Sequence, residues 1–293
     1  MISVIVCTRN RAESLRRTLH SLHAMAMPPT LAWEVVVVDN GSGDHTRAVT
    51  EETAQTTGMP VRYLLETEPG LSRARNAGAR AARGEVVAFT DDDCRVDVRW
   101  LAQIDAEFGA DTSLAVLGGR VELYDPSDQP VSVRRQRERT HVTSLAQIAT
   151  FMIGCNMACR RRLLDDVGLF DVRFGAGARI PSAEDWDFLH RARRAGARIV
   201  FAPEVLVFHD HGRRSVAQVE SARHAYAIGR WAFYCKHLSA FDMEALRAAA
   251  HELRWLLGEL VRGRRPARAL VPVARGVAAW LRAVARRERA SDS

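Results

Sequence analysis

The chain has 293 residues, 47% of them hydrophobic and 26% charged, with a formal net charge of +7. This balance excludes disordered and collagen-like classes and leaves room for one large core with a modest accessory segment. Nearly all the positive charge is arginine, with Lys236 the single lysine in an alanine-rich chain. It therefore reads as solvated helix faces, and no nucleic-acid partner is expected.

Three short valine-rich runs, Ile2 to Cys7, Glu34 to Val38 and Glu85 to Thr90, are bounded by turn residues and predict strands buried on both faces. Arg11 to Met25, with Leu15, Leu19 and Leu22 at helical spacing, predicts a helix between the first two. A helix over His45 to Thr56, a strand over Val61 to Leu65 and a helix over Ser72 to Arg83 lead to the third. Such alternation makes an open α/β sheet, with right-handed crossovers and ligands at the carboxyl ends of its strands. A further strand is predicted over Ser113 to Val121, then an irregular charged stretch to about Thr143. Phe151 to Cys159 is apolar, with Gly154 and Asn156 embedded in it. Helices are predicted over Leu163 to Phe170 and Glu184 to Ala195, then two short strands, Ile199 to Phe201 and Val205 to Phe208, ending at His209. From about residue 214 the period is helical, broken at Pro266 and Pro272. An α/β domain over 1–213 and a helical extension over 214–293 are the expected units.

Polar clusters follow the first three valine-rich strands: Thr8-Arg9-Asn10, Asp39-Asn40-Gly41-Ser42 and Asp91-Asp92-Asp93. Caps and turns would account for any one junction of this kind. Three acids in a row beside a buried strand differ, because their repulsion is costly unless a cation or a proton relieves it. The five cysteines, Cys7, Cys94, Cys155, Cys159 and Cys235, contain no CxxC pair and suggest neither zinc nor disulfides, so a reducing cytoplasmic setting is expected. The opening apolar stretch is too short for a signal peptide, and no run reaches the ~18 apolar residues of a transmembrane helix.

Four segments in order resemble the family 2 glycosyltransferases of the GT-A fold, over Ile2 to about His211. They are the opening strand with Cys7-Thr8-Arg9-Asn10, Glu13 and VVVVDNGSGD; GLSRARNAGARAARGEVVAFTDDD, similar to the approach to that family's DXD motif; GCNMACRRRLLDDVGLFD, similar to its acceptor-side segment; and EDWDFLHRARRAGARIVFAPEVLVFH, similar to its ED motif. The resemblance implies a Rossmann-like open mixed sheet flanked by helices, with a nucleotide-sugar half over 1–112 and an acceptor half over 113–213. It also implies an inverting, metal-dependent transfer from a nucleotide-diphosphate sugar to an acceptor hydroxyl.

By that resemblance Asp93 is the direct ligand of Mn²⁺ or Mg²⁺, hard cations that use few protein carboxylates and complete their shell with phosphate and water. His209 would close the shell, with His211 as the understudy, and an imidazole ligand tilts the choice towards Mn²⁺. Thr8, Arg9, Asn10, Glu13, Asp39 and Asn40 would surround the nucleoside. Asp39 would accept from the ring N–H of the base, which favours a UDP- or dTDP-sugar. Asp91 and Asp92 would face the ribose, the base or the metal's outer shell, and Arg75 the base or diphosphate. Asp185 would be the base that takes the acceptor's proton, Glu184 would position the acceptor, and Gly154, Asn156 and Trp186 would lie on the acceptor side. Asp187 and Arg191 read as a structural helix pair.

Arg230-Trp231 lacks the glutamine of a QxxRW motif, so single additions are expected, to a glycan, a lipid-linked intermediate or a small metabolite. Two alternatives are a metal-dependent nucleotidyl or phosphoryl transferase, against which stands the absence of GxxxxGK[ST] and DxDx[TV], and a non-catalytic nucleotide-sugar-binding partner protein. A dehydrogenase fails for lack of GxGxxG after the first strand. Ala267 to Arg289 is basic and amphipathic, with Leu270, Val273, Val277, Trp280, Leu281 and Val284 on one side. That pattern suits either peripheral contact with the inner face of an anionic membrane or packing on the domain or on a second subunit of a homodimer.

Overall fold

The computed structural model describes residues 1–291, with side-chain environments through residue 285. Strand and helix alternate at first: β1 (Ile2–Thr8), α1 (Ala12–His23), β2 (Trp33–Asp39), α2 (Thr46–Thr57), β3 (Val61–Leu65), α3 (Leu71–Ala81) and β4 (Val86–Asp91). Successive side chains of a strand point to opposite faces, and both faces are covered. Val4, Val6, Val35 and Val37 join Leu15, Leu19 and Leu22 of α1 in one core, while Ile5, Val36 and Val38 join Ala74 and Ala79 of α3 in another. Each buried valine, leucine or isoleucine here, withdrawn from water, contributes about 1.5–3 kcal/mol before the entropy of ordering is set against it.

The chain continues through β5 (Cys94–Val96), α4 (Trp100–Ala110), β6 (Leu114–Leu123), β7 (Thr140–His141), α5 (Leu145–Phe151), β8 (Met157–Arg160), α6 (Arg161–Asp166), α7 (Glu184–Arg194) and β9 (Arg198–His209). The nine strands form one sheet in the order β3-β2-β1-β4-β8-β6-β9-β5, with β7 paired to β9. The sheet is mixed: β3, β2, β1 and β4 run parallel, and β8 is antiparallel to both β4 and β6. From β1 the chain moves outwards to β2 and β3, then returns to place β4 on the other side of β1. The carboxyl ends of β1 and β4 therefore flank a switch point, where a crevice opens.

Four elements differ from expectation. β9 is one strand, not two, because the irregularity around Pro203 is absorbed as a bulge: Gly119 pairs with Ala202 and Arg120 with Leu206, leaving 203–205 outside the ladder. Proline has no N–H to give a ladder, so it is accommodated there. α6 starts at Arg161 and stops at Asp166, four residues before Phe170, because Gly168 takes a left-handed φ of 79° and Phe170 donates its N–H to Asn76 instead. α4 and α5 fill stretches that carried no helix expectation.

Beyond β9 come α8 (Val216–Leu238), α9 (Met243–Val261), a 3-10 turn (Ala267–Leu270) and α10 (Val271–Ser291). Ser215 and Gln218 close a reciprocal capping box at the start of α8. Trp231, Phe233 and Trp280 of this extension share a third core with Phe174 and Ile180 of the α/β domain. α8 packs tightly on the domain at Gly229, where a Cβ would meet Ser182 Oγ at 2.1 Å. On α10, Trp280, Ala279 and Ala283 are buried and Val273 and Val284 pack against that core, so most of the apolar face of 267–285 is turned to the protein, while Leu281, expected on that face, is 61% exposed. The side chains of 286–289, which the amphipathic reading also covers, lie outside the described residues. Among the described residues, no helix is long and apolar enough to cross a membrane. All five cysteines are free thiols.

Candidate active site

Strand register gathers the polar junctions onto one rim. Cys7 lies opposite Asp91 across β1 and β4, and Thr8 opposite Asp39 across β1 and β2. The β5–β9 pairing sets Cys94 opposite His209, which brings that histidine to the acidic run. Thr8 Oγ1 donates to Asp92 Oδ2 at 2.7 Å. The Arg11 guanidinium, just before α1, bridges Asp92 at 2.8 Å and Asp93 at 3.1 Å. Asp93 Oδ1 lies 3.3 Å from His209 Nε2.

The two acids titrate in opposite directions. Burial, with Asp93 beside it, pushes Asp92 up to about 7 against the pull of Arg11. Burial acts the same way on Asp93, but the hydrogen bond and charge of His209, joined by Arg11, hold it well below the usual carboxylate range. For His209, burial would lower the imidazole; the pairing with Asp93 raises it to about 9. His209 Nδ1 sits 3.4 Å from the Ser132 carbonyl, which can only accept, so Nδ1 carries a proton and Nε2 faces Asp93. Two lone-pair donors at 3.3 Å need a positive charge between them, either a proton or a metal cation. This oxygen and nitrogen pair fits Mn²⁺ or Mg²⁺. Cys94 lies close to both, but burial and a hydrogen bond with Cys155 keep its thiol protonated, so it adds no hard ligand. His211 turns elsewhere: its Nδ1 accepts the Arg213 N–H at 3.0 Å and lies 3.3 Å from Asp128.

The second acid cluster opens α7. Its N-cap, Ala183, has a φ of 74°, a left-handed conformation that costs a non-glycine residue on the order of 1–3 kcal/mol and that clusters at functional sites. Glu184 Oε1 accepts from Arg75 Nη1 at 2.8 Å, while Arg75 Nη2 lies 3.3 Å from Asp91 Oδ1. Arg75, only 2% exposed, is thus a strut between the two clusters. Burial would lower its pKa, and Asp91 and Glu184 raise it above the ordinary arginine value. Burial and the neighbouring Asp185 push Glu184 up to about 7 in spite of Arg75. Asp185 Oδ2 accepts the Gly154 N–H at 2.9 Å and its Oδ1 the Trp186 N–H at 2.8 Å. A Cβ on Gly154 would come within 2.8 Å of the Arg75 guanidinium, so glycine lets the strut and the Asp185 contact coexist.

A cavity of about 740 Å³ runs between the clusters. Thr8, Arg9, Asn40, Gly154 and Trp186 line it together with both sets of acids and His209. Other anticipated residues stand back from it. Asn10 has a φ of 54° and accepts the Gly43 N–H, tying two loops together. Glu13 is exposed on α1 and pairs with His45 at 2.9 Å. Asp39 accepts from Tyr63 Oη and the Ser42 N–H, both at 2.8 Å. Although Asn40 reaches the cavity, its amide holds the carbonyls of Glu66 and Glu68 and the Gly70 N–H. Asn156 departs from the acceptor-side expectation: its oxygen accepts from Trp100 and its nitrogen donates to the carbonyls of Arg120 and Val205, so it braces the β6–β9 bulge.

Several cavity residues carried no usable sequence signal. Arg11 is one arginine among many, and its role as the cation between Asp92 and Asp93 depends on the turn into α1. Arg134, Arg213, Tyr226 and Arg230 also line the cavity, the last two from α8 of the extension. Tyr226 Oη lies 2.7 Å from Ser132 Oγ, on the same residue whose carbonyl faces His209.

The family model for glycosyl transferase family 2 matches residues 3–168. Glycosyltransferase AglE of Haloferax volcanii is 28% identical over 211 residues, covering 71% of this chain and 66% of that protein. Succinoglycan biosynthesis protein ExoM of Rhizobium meliloti is 30% identical over 207 residues, covering 70% and 65%. The chain thus spans just under two thirds of the length of these curated relatives. Among solved structures, residues 1–349 of S. aureus TarS in complex with UDP-GlcNAc match with a TM-score of 0.61 at 22% identity, over 80% of this chain and 65% of that one. The mannosyltransferase PcManGT from Pyrobaculum calidifontis in complex with GDP-Man and Mn²⁺ matches with a TM-score of 0.59 at 21% identity, over 96% and 85%. At these identities the likeness is one of fold.

Proposed function

The chain belongs to glycosyl transferase family 2 and has the GT-A fold, and from that premise we propose that it moves a sugar from a nucleotide-diphosphate sugar to an acceptor hydroxyl by a single inverting displacement. The observation that carries this reading is the pair of acid clusters facing one cavity, joined beneath it by Arg75. One cluster has the donors for a cation; the other has a carboxylate oriented by two backbone N–H groups. A transferase needs both, whereas a nucleotide binder needs only the first.

Asp93 and His209 would hold Mn²⁺ or Mg²⁺, which supplies positive charge to the departing diphosphate. Thr8 and Arg9 take the nucleoside side of the cavity, with Asp91 and Asp92 beside the ribose. A UDP- or dTDP-sugar is the donor that the family resemblance favours; Asp39, held by Tyr63 and Ser42 behind the cavity, would have to reach the base through the lone pair that each of its oxygens keeps. A carboxylate oxygen of Asp185 takes the acceptor hydroxyl's proton as that oxygen attacks the anomeric carbon. Fixing the carboxylate through Gly154 and Trp186 removes rotamer freedom that would otherwise be lost in the transition state. Glu184, pinned by Arg75, positions the acceptor. The first 112 residues serve the donor and 113–213 the acceptor, a glycan, lipid-linked intermediate or small metabolite, with single additions and a reducing cytoplasmic setting.

Release of nucleotide from UDP-, dTDP- and GDP-sugars, with and without Mn²⁺, tests donor and metal together. Cation-dependent turnover of a UDP- or dTDP-sugar is expected. Turnover that is indifferent to chelation, or confined to GDP-sugars, would sink the corresponding part of the reading.

A further inference from the structure

α9 is held to the protein along one side only. Ala245, Ala249 and Leu256 are buried, and Glu252 on that flank pairs with Arg230 of α8 at 2.7 Å. Around the helix from this flank, Met243, Leu246, Ala250, Leu253, Leu257 and Leu260 follow at alternating steps of three and four, which sets them in a single stripe. Leu246, Leu253 and Leu257 are 41%, 36% and 45% exposed, and Met243 is 56% exposed. Ala250 and Leu260 are half-buried while the other four stay open to solvent, and an apolar face of this length marks an interaction surface.

Its rim decides the partner. Arg247 and Arg254 border the stripe on the side away from the docked flank, and exposed Arg262, Arg264, Arg265 and Arg268 follow the end of the helix. The acids of α9 are already engaged: Glu244 with Arg193, Glu252 with Arg230, Glu259 with Arg262. A second copy docked through the same stripe would bring these arginines against their own kind. An anionic lipid surface accepts the apolar side chains and the arginines at once. We propose that α9 seats the protein on an anionic membrane, with Leu246, Leu253 and Leu257 in the headgroup layer and Arg247, Arg254, Arg264, Arg265 and Arg268 on lipid phosphates. α10, with most of its apolar face turned to the protein, leaves this contact to α9.

Full-length protein is centrifuged with vesicles of phosphatidylcholine alone and of phosphatidylcholine mixed with phosphatidylglycerol. Co-sedimentation with the anionic vesicles alone, weakening as salt is raised, is the expected result. Leu253→Glu combined with Leu257→Glu abolishes it, and Arg247→Gln and Arg254→Gln each weaken it about fivefold. These side chains are solvent-exposed, so the melting temperature of each variant stays near that of the parent and shows it to be folded. Folded protein that stays in the supernatant with both vesicle types, binds both equally, or binds as well with the two glutamates overturns the proposal. So does a dimer in solution that the glutamate variant splits into monomers, because a second copy then covers the stripe.

Discussion

Arg75 lies between Asp91 at 3.3 Å and Glu184 at 2.8 Å while almost wholly buried, so its charge holds two acids that would otherwise repel each other. Arg75→Met leaves both uncompensated and is expected to cost about 3–5 kcal/mol of unfolding free energy, read from denaturant curves. Glu184 gives a pH prediction with a definite sign. Its pKa rises from an ordinary 4.5 to about 7, so the folded protein binds the extra proton, and stability falls as pH rises from 4.5 through 7. Melting scans across that window should show the decline, and Glu184→Gln should reduce it, leaving the share that Asp92, also raised to about 7, contributes. In donor turnover the same group is expected to contribute to an acidic limb near pH 7, which becomes shallower in the glutamine variant because Asp92 still titrates there. His209→Ala removes half of the proposed cation pair, and about 10–100-fold weaker activation by Mn²⁺ is expected in a metal titration.

At the level of elements, α7 reaches the extension through a buried charge network. Asp187, with no exposure, accepts from Lys236 at 2.7 Å, His237 at 3.0 Å and Arg191 at 3.0 Å, and Lys236 also reaches Asp171 at 2.7 Å. The single lysine in an arginine-biased chain thus sits where a compact ammonium meets two carboxylates at once. Lys236→Arg is expected to restore the charge but not the stability, and Lys236→Met to lower the melting temperature further. Against the lift of burial, hydrogen bonds and charges from Arg173 and Lys236 hold Asp171 at about 2; His237, Lys236 and Arg191 hold Asp187 below the usual range. Both favour the folded state above their ordinary 3.8, and that stabilisation is lost as pH falls through it towards 2. The elements differ in how far the sequence discloses them. β1, β2 and β4 are legible because both faces are buried and the apolar run is unbroken. α4 does carry its spacing in Trp100, Leu101, Ile104 and Phe108, but no side chain caps its start and no acid marks its first turn. β9 reads as two strands because Pro203 interrupts the run, and only a partner strand shows that the ladder resumes beyond the bulge.

Taken as a whole, the molecule is a parallel half-sheet, β3-β2-β1-β4, extended by a mixed half in which β8, β5 and β7 run against β6 and β9, with the helical extension packed on one side. The carboxyl-end rule locates the rim from sequence for Thr8, Asp91, Asp92 and Asp93, and the family resemblance adds the α7 acids; all of them line one cavity. What the rule cannot supply is whatever arrives from a distance: Arg11 from the start of α1, Tyr226 and Arg230 from α8, and the conversion of Asn156 into a brace. A helical tail read by itself gives an amphipathic pattern, but its packing decides which face remains free, here that of α9 and not of α10. The central claim is that one acid cluster holds a cation on the donor and the other takes the acceptor's proton. Nucleotide release from the preferred donor, with acceptor and saturating Mn²⁺, tests it in Asp93→Ala and Asp185→Asn variants shown to be folded. Turnover should fall by about 10²–10⁴-fold in each, with donor affinity retained in Asp185→Asn and weakened in Asp93→Ala. Turnover that survives either substitution contradicts the account.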